Sequence, residues 1–262
     1  MTILKDQIGN IVQLESYPNR IISLVPSITE YLFDLGLNER IVGVTKFCVH
    51  PKNMLNEKEI IGGTKQQHLD KIKELQPDLI IASKEENVKQ YVEKLIKICP
   101  VYVSDVNDFD SAIHMMNDIG ELTSESEKAE KIIHNINQQF DAIKKPTSPI
   151  KAAYCIWKNP WMWAGTDTFI SKMLADSGFK NIIAKIRYPE IEISEIVKAN
   201  PDYIFLSSEP FPFQEKHIEE LKAEFPNANF IIVDGEMFSW YGSRMIKAPQ
   251  YFNSLLDQLK TK

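Results

Sequence analysis

The chain has 262 residues, 44% hydrophobic and 25% charged, with a formal net charge of −6, which predicts a globular protein of one large or two smaller domains. The negative charge, without a long basic run, argues against nucleic-acid binding, and no apolar run reaches the roughly 18 residues of a transmembrane helix. The three cysteines form no Cys-x-x-Cys pair, so we expect neither a disulfide framework nor a structural zinc site.

The first half of the sequence alternates short apolar strands with helices. A hairpin is predicted over 7–14, and strands over 20–25, 41–44, 79–82 and 101–103. Helices are predicted over 28–35, with Ser27 as the N-cap, and over 69–75, 88–98 and 109–122. Apolar strands separated by helices are typical of a parallel sheet covered on both faces.

Residues 124–144 carry the longest regular helical pattern. Their apolar residues recur at steps of three and four, which places them on one stripe of a helix: Ala129, Ile132, Ile133, Ile136, Phe140 and Ile143. Ser124 and Glu127 have the spacing of a capping box, and Pro146 cannot continue the helix. The pattern predicts one helix over the whole of 124–144.

The second half repeats the pattern of the first, with a strand over 152–157 and a helix over 169–176. Gly178 follows that helix as Gly36 follows the first one, and a Pro-Asp pair stands between a helix and a buried strand at both 77–78 and 201–202. This repeat predicts an α/β fold of two Rossmann-like lobes with parallel sheets, bridged by one long backbone helix. The expected domains are an N-terminal lobe (1–122), the helix (123–145) and a C-terminal lobe (146–262).

Several short motifs resemble one protein family. They are Arg-Ile-Ile-Ser-Leu-Val-Pro-Ser-Ile-Thr-Glu at 20–30, Ile-Val-Gly-Val at 41–44, Ile-Gly-Gly at 61–63, Leu-Gln-Pro-Asp-Leu-Ile-Ile-Ala at 75–82 and Asn-Pro-Asp-Tyr-Ile at 200–204. Together they resemble the class III substrate-binding proteins of ABC importers, the helical-backbone metal receptors, which include receptors for cobalamin, haem and ferric siderophores. The resemblance implies a non-enzymatic protein without an intrinsic cofactor, which holds a metal-bearing small molecule in a cleft between its lobes. The expected partner is an ABC permease, and we expect a monomer.

The candidate ligand residues lie in loops that follow the predicted strands, where ligands bind in doubly wound folds. The expected set is Cys48, His50, Thr64, Lys65, Trp157, Trp161, Trp163, Arg187, Tyr188, Trp240, Tyr241 and Arg244. All four tryptophans of the chain fall in two of these loops, and aromatic walls suit a large flat ligand such as a corrinoid or a porphyrin.

These residue types allow a second interpretation at each position. Cys48 and His50 could ligate the metal of the ligand, but Cys48 could equally be a small buried hydrophobe and His50 a surface side chain. Arg187, Arg244 and Lys65 could pair with ligand carboxylates, or the arginines could be solvated. Each tryptophan could be packed in a core.

The resemblance also implies one acidic docking residue on each lobe, at the start of the helix before Pro-Asp. Asp70 lies seven residues before Pro77, but the same position before Pro201 is Ser194, with Glu192 and Glu195 beside it. Because a shift of one residue turns a helical side chain by about 100°, we expect weak docking. Since the sequence begins without a leader, we expect a cytoplasmic location, or a periplasmic or lipid-anchored one if a leader was removed.

Motifs for catalysis are absent from the sequence: it has no Gly-x-Ser-x-Gly, Gly-x-Gly-x-x-Gly, Walker or His-Glu-x-x-His pattern. Two alternatives to an importer subunit stay open. One is an intracellular carrier or sensor of the same ligands without a transporter. The other is a metal-tetrapyrrole enzyme such as a chelatase, with His50 or His68 as base or metal ligand.

Overall fold

The computed structural model describes residues 1–260. Their strands are β1 (Thr2–Lys5), β2 (Ile11–Leu14), β3 (Ile21–Ser23), β4 (Ile41–Val44), β5 (Glu59–Ile60), β6 (Leu79–Ser83), β7 (Val101–Ser104), β8 (Ile150–Trp157), β9 (Met162–Trp163), β10 (Phe179–Asn181), β11 (Tyr203–Ser207) and β12 (Asn229–Val233). Their helices are α1 (Pro26–Asp34), α2 (Leu69–Glu74), α3 (Lys89–Leu95), α4 (Phe109–Thr123), α5 (Ser126–Asp141), α6 (Phe169–Asp176), α7 (Ile193–Ala199), α8 (Glu215–Lys222), α9 (Gly235–Ser239) and α10 (Ala248–Lys260). Within this part of the chain, none of the helices is both long and apolar enough to cross a membrane.

The chain divides into two compact units. Unit 1 comprises Met1–Val106, Asp110–Ile136 and Tyr241–Arg244, and unit 2 comprises Asn107–Phe109, Asn137–Trp240 and the chain from Met245 onward. This division differs from the expected domains at three places. The boundary falls inside α5, Asn107–Phe109 of the expected N-terminal lobe belongs to unit 2, and Tyr241–Arg244 of the expected C-terminal lobe belongs to unit 1.

The sheet of unit 1 has five parallel strands in the order β5-β4-β3-β6-β7. The earliest strand, β3, is central, so the chain order reverses between β3 and β6. Apolar residues of these strands and of the helices beside them form the core, among them Ile22, Ile80, Leu95 and Val103. Burial on both faces explains why these strands read as continuous apolar runs.

The parallel sheet of unit 2 has the order β10-β8-β11-β12, and the short β9 folds back antiparallel to β8. Here the chain order reverses between β8 and β11. The core of this unit includes Ala153, Trp163, Ile204 and Leu206. The predicted α/β fold with two parallel sheets is confirmed.

The backbone helix is shorter than its apolar pattern predicted. Ser124 has a left-handed φ of +61°, so it links α4 to α5 instead of capping the helix, and α5 begins at Ser126. The predicted capping box is therefore wrong. The long helix itself is present: α5 begins in unit 1 and ends in unit 2.

The two repeated helix ends agree with the sequence. Gly36 and Gly178 follow the C-caps of α1 and α6 with φ of +80° and +93°, a conformation that favours glycine. The start of α1 differs from the prediction, because Val25 is the N-cap and Pro26 the first helical residue, so Ser27 lies inside the helix.

Candidate functional site

The switch point of the unit 2 sheet carries exposed aromatic side chains. Trp157 ends β8 and is 39% exposed, and the half-buried Phe211 lies in the loop after the neighbouring β11. Their rings meet edge to face with centroids 5.6 Å apart. In open parallel sheets, ligands bind beyond the carboxyl ends of the strands where the strand order reverses. This pair therefore lies where a ligand of unit 2 is expected.

Three further rings, those of Trp161, Phe213 and His217, pack against Phe211 or against one another. Trp161 stacks on Phe213 at 6.1 Å with an interplanar angle of 8°, and Phe213 lies 4.7 Å from Phe211. The buried His217 contacts the rings of both Phe211 and Phe213, and its Nδ1 accepts from the backbone N–H of Gln214. We call Trp157, Trp161, Phe211 and Phe213 the aromatic face. Phe211 and Phe213 are absent from the expected ligand set, although their position in the loop after the buried strand expected beyond Pro201-Asp202 was a usable signal.

Trp163 has a different role from its neighbours. Its side chain is fully buried in the core of unit 2, and its Nε1 donates to the carbonyl oxygen of Ile191 at 3.3 Å. The expectation that Trp163 contacts a ligand is therefore corrected. Trp163 pairs with the buried Cys155 of β8, and directly opposite residues of two strands lie on the same face of the sheet, which here is the core face.

Trp240 is also largely buried, and its indole N–H is hydrogen-bonded to a carboxylate. Its Nε1 donates to Oε1 of Glu209 at 2.7 Å, and the same oxygen accepts from Ser239 Oγ at 2.8 Å. Burial raises the pKa of Glu209, the two hydrogen bonds counteract this, and Glu236 and Asp234 nearby raise the pKa further. Only 8% of Trp240 is exposed, so little of its surface is available to a ligand.

Near the switch point of the unit 1 sheet, the end of β6 contacts a side chain of the protein itself, Tyr241. The hydroxyl of Tyr241 lies 3.4 Å from Oγ of Ser83 at the end of β6. Gly242, with φ of +97°, lies so close to α1 that an added Cβ would be 3.2 Å from Cβ of Tyr31 and 3.4 Å from the carbonyl oxygen of Ser27. Tyr241 is buried, and burial raises the pKa of its phenol. We therefore assign it a packing role in unit 1 instead of the expected ligand contact.

Arg244 completes this anchor with a buried ion pair. Its Nε and Nη2 each donate to one carboxylate oxygen of Glu30 at 2.7 Å, and Ser243 beside it bonds to Asp34. Both members of the ion pair are buried. Because the guanidinium already has a bidentate carboxylate, the expectation that Arg244 pairs with a ligand carboxylate is corrected.

Cys48 is buried among hydroxyl groups. Its Sγ lies 3.2 Å from Thr29 Oγ1 and 3.3 Å from Thr45 Oγ1. Burial raises the pKa of this thiol, although these hydrogen bonds counteract the shift. Cys48 is fully buried, so the expectation of Cys48 as a ligand is corrected and we assign its side chain to packing. His50 is half-buried two residues further on, and residues 1–260 contain no group of three His, Cys, Asp or Glu side chains arranged to hold a metal.

The loop that carries Thr64 and Lys65 lies beside an exposed ring, since a Cβ added at Gly63 would be 3.3 Å from Phe47. Phe47, in the loop after β4, is 50% exposed, with Lys46 Nζ 5.0 Å from its ring centroid. The carbonyl of Thr64 accepts from Gln67 and Asn87, which fixes its loop. Lys65 Nζ donates to the carbonyl of Glu85 at 3.0 Å. Phe47, which the candidate set omitted, is therefore the largest exposed apolar side chain in this region.

Arg187 and Tyr188 lie together in unit 2. Arg187 has a left-handed φ of +59°, and its Nη1 donates to Asn107 Oδ1 at 3.0 Å and to the carbonyl of Asp167 at 3.1 Å. Its guanidinium lies 5.8 Å from the ring centroid of the half-buried Tyr188. Both residues keep a partly accessible side chain beside the loop of Asp167.

The docking candidates occupy the helix positions that the repeat predicted. Asp70 is the second residue of α2, with its side chain 94% exposed and 3.3 Å from Lys73 Nζ. The exposed Ser194 is the second residue of α7. Glu192 is the N-cap of that helix, and Glu195 lies in its first turn, 3.3 Å from Lys185 Nζ. The equivalent of Asp70 in unit 2 is therefore an uncharged serine.

Two curated proteins illustrate the relatives of this chain. It is 24% identical over 194 residues to the vitamin B12-binding protein of Vibrio parahaemolyticus, covering 72% of this chain and 70% of that protein. It is 27% identical over 207 residues to YvrC of Bacillus subtilis, an uncharacterized ABC transporter substrate-binding lipoprotein, covering 74% of this chain and 65% of that protein.

Solved structures share its fold. A possible iron-binding periplasmic solute-binding protein of Staphylococcus epidermidis superposes with a TM-score of 0.75 at 26% identity, covering 93% of this chain and 99% of that one. The periplasmic haem-binding protein HutB of Vibrio cholerae gives 0.77 at 21% identity, covering 90% and 98%. The profile of the family described as periplasmic binding protein matches residues 21–228, so this chain belongs to that family.

Proposed function

We propose that this chain is the ligand-binding component of an ABC importer and that it holds a metal-containing small molecule of the cobalamin, haem or ferric siderophore class. The observation that carries this proposal is the exposed contact between Trp157 and Phe211 at the switch point of the unit 2 sheet. Exposed aromatic rings suit a large conjugated ligand. The names of the relatives, which refer to vitamin B12, iron and haem, support this range of ligands.

Native mass spectrometry with cyanocobalamin, hemin and ferric siderophores tests this function. We expect one class to form a 1:1 complex, and Trp157→Ala to weaken it by about 1–3 kcal/mol, as for a buried aromatic hot spot. Trp163→Phe is the matched control, because it changes a core tryptophan of the same unit. If none of the three classes binds, the proposal fails.

We further propose an ABC permease as partner and an exported location, periplasmic or lipid-anchored. The family and the lipoprotein YvrC support this in place of the cytoplasmic location expected from the sequence. The protein acts by binding and release, without chemical conversion of the ligand. Fractionation of cells that produce the native protein tests the location, and recovery of the protein with the cytoplasmic fraction alone would contradict it.

A further inference from the structure

The charges around the aromatic face carry information about the ligand. Three basic side chains lie in the loops that follow the strands of unit 2: Lys158, Lys185 and Arg187. Lys158 pairs with Glu220 and is close to the Trp161 ring, 5.6 Å from its centroid. Lys185 lies 3.3 Å from Glu195. Both lysines therefore have carboxylate partners within the protein.

Arg187 donates from its Nη1 to two oxygens of the protein, those of Asn107 and Asp167. Its left-handed backbone and the bridge between Thr166 and Ile186 fix the loop that carries it. These contacts fix the position of the guanidinium.

Acidic residues outnumber basic ones in the same segments. Asp167 lies after β9, Glu190 and Glu192 lie after β10, and Asp234 and Glu236 follow β12. These five carboxyl groups stand against three basic groups, and two of the basic groups are paired with further carboxylates. Binding surfaces carry charge complementary to their ligands, because like charges that face each other cost several kcal/mol.

Given the proposed function, on which this step rests, we infer that the ligand at the aromatic face is a flat ring with a neutral or cationic periphery. Among the three classes, a corrinoid meets this description, since its edge carries amides. A porphyrin has two carboxylates, and a ferric tris-catecholate is a trianion. The aromatic face supplies stacking area for the ring, and the surrounding loops supply no uncommitted lysine for an anion.

Equilibrium dialysis with cyanocobalamin, dicyanocobinamide, hemin and a ferric tris-catecholate tests this inference. We expect a corrinoid to bind at least about tenfold more tightly than either anionic probe. Its affinity should change by less than about twofold between roughly 50 and 500 mM salt, because a neutral ligand has no net charge to screen. Lys185→Gln should leave corrinoid affinity nearly unchanged, and Trp157→Ala should lower it.

The outcomes separate this inference from the function on which it rests. If hemin or the catecholate binds most tightly, and loses affinity with added salt and in Arg187→Gln, the charge argument is overturned while the importer function stands. If none of the four probes binds, the proposed function is overturned and this inference with it. Preferential corrinoid binding that is insensitive to salt supports both.

Discussion

Glu209 Oε1 accepts a hydrogen bond from Trp240 Nε1 at 2.7 Å, and this contact fixes the loop after β11 to the end of α9 in unit 2. Both groups are largely removed from water, and the same carboxylate oxygen accepts from Ser239. The indole N–H has to be satisfied when it is buried. The carboxylate meets this need, but its charge is disfavoured by burial.

This contact predicts opposite effects for two substitutions. Glu209→Leu removes the acceptor and leaves the indole N–H without a partner, so it should lower the free energy of unfolding by about 1–3 kcal/mol. Glu209→Gln keeps an amide oxygen as acceptor and removes the charge, so its stability at neutral pH should equal or exceed that of the wild type. Urea unfolding of both variants checks this, and a Gln variant as unstable as the Leu variant would contradict it.

The same carboxylate predicts a pH dependence. The pKa of Glu209 is raised in the folded state from its ordinary value of 4.5, so the folded protein holds this proton more tightly than the unfolded chain does. The contribution of Glu209 to the free energy of unfolding is fully favourable at a pH below that ordinary value. It is lost as pH rises through the pKa that Glu209 has in the folded protein. We expect the stability of the wild type, relative to Glu209→Gln, to fall as pH rises over this interval. A difference that does not change between pH ~4 and ~8 would refute this assignment.

The Arg244 ion pair predicts a stability effect without a ligand effect. Arg244→Met removes the guanidinium from the buried carboxylate of Glu30, which should cost about 3–5 kcal/mol. The double variant Arg244→Met with Glu30→Leu should recover part of this loss, because no buried charge remains. Thermal or urea unfolding measures the first effect. Ligand affinity of the double variant should be unchanged, and a large loss of affinity there would return Arg244 to the ligand site.

The thiol of Cys48 should be unreactive in the native protein. Burial raises its pKa, and only the thiolate is a good nucleophile. At pH ~8 we expect Ellman's reagent to modify Cys48 far more slowly than a model thiol. Peptide mass mapping identifies the site, and denatured protein serves as the control. Rapid native labelling of Cys48, or loss of ligand binding in Cys48→Ala without a loss of stability, would contradict its packing role.

Docking should be limited by the missing acid in unit 2. Asp70 is exposed on α2, but its counterpart on α7 is Ser194. Exposed ion pairs contribute less than about 1 kcal/mol, so Ser194→Glu should raise the apparent affinity for a reconstituted importer by no more than about fivefold. Stimulation of its ATPase activity is the measurement, with Ser194→Ala as the control. An Asp70→Ala variant that stimulates as well as the wild type would show that this position takes no part.

The sequence alone determined the α/β architecture of this protein. Strands buried on both faces must be apolar along their whole length, so the runs around Ile22, Ile80 and Ile204 could be recognised without any structure. The repeated glycines were also reliable, because Gly36 and Gly178 occupy a left-handed conformation that other residues rarely adopt. Such patterns can be recognised in a sequence because they depend on residues that are neighbours along the chain.

Only the tertiary structure decided which candidate side chains face solvent. Trp157 and Trp163 are six positions apart in one hairpin, yet the first is exposed and the second is core. From the sequence, Arg244 was a candidate to bind a ligand carboxylate. In the structure it is paired with Glu30, which lies 214 positions away in the chain. Burial and ion pairing depend on residues that are distant in sequence and adjacent in the fold, so no local pattern around Trp163 or Arg244 could reveal them.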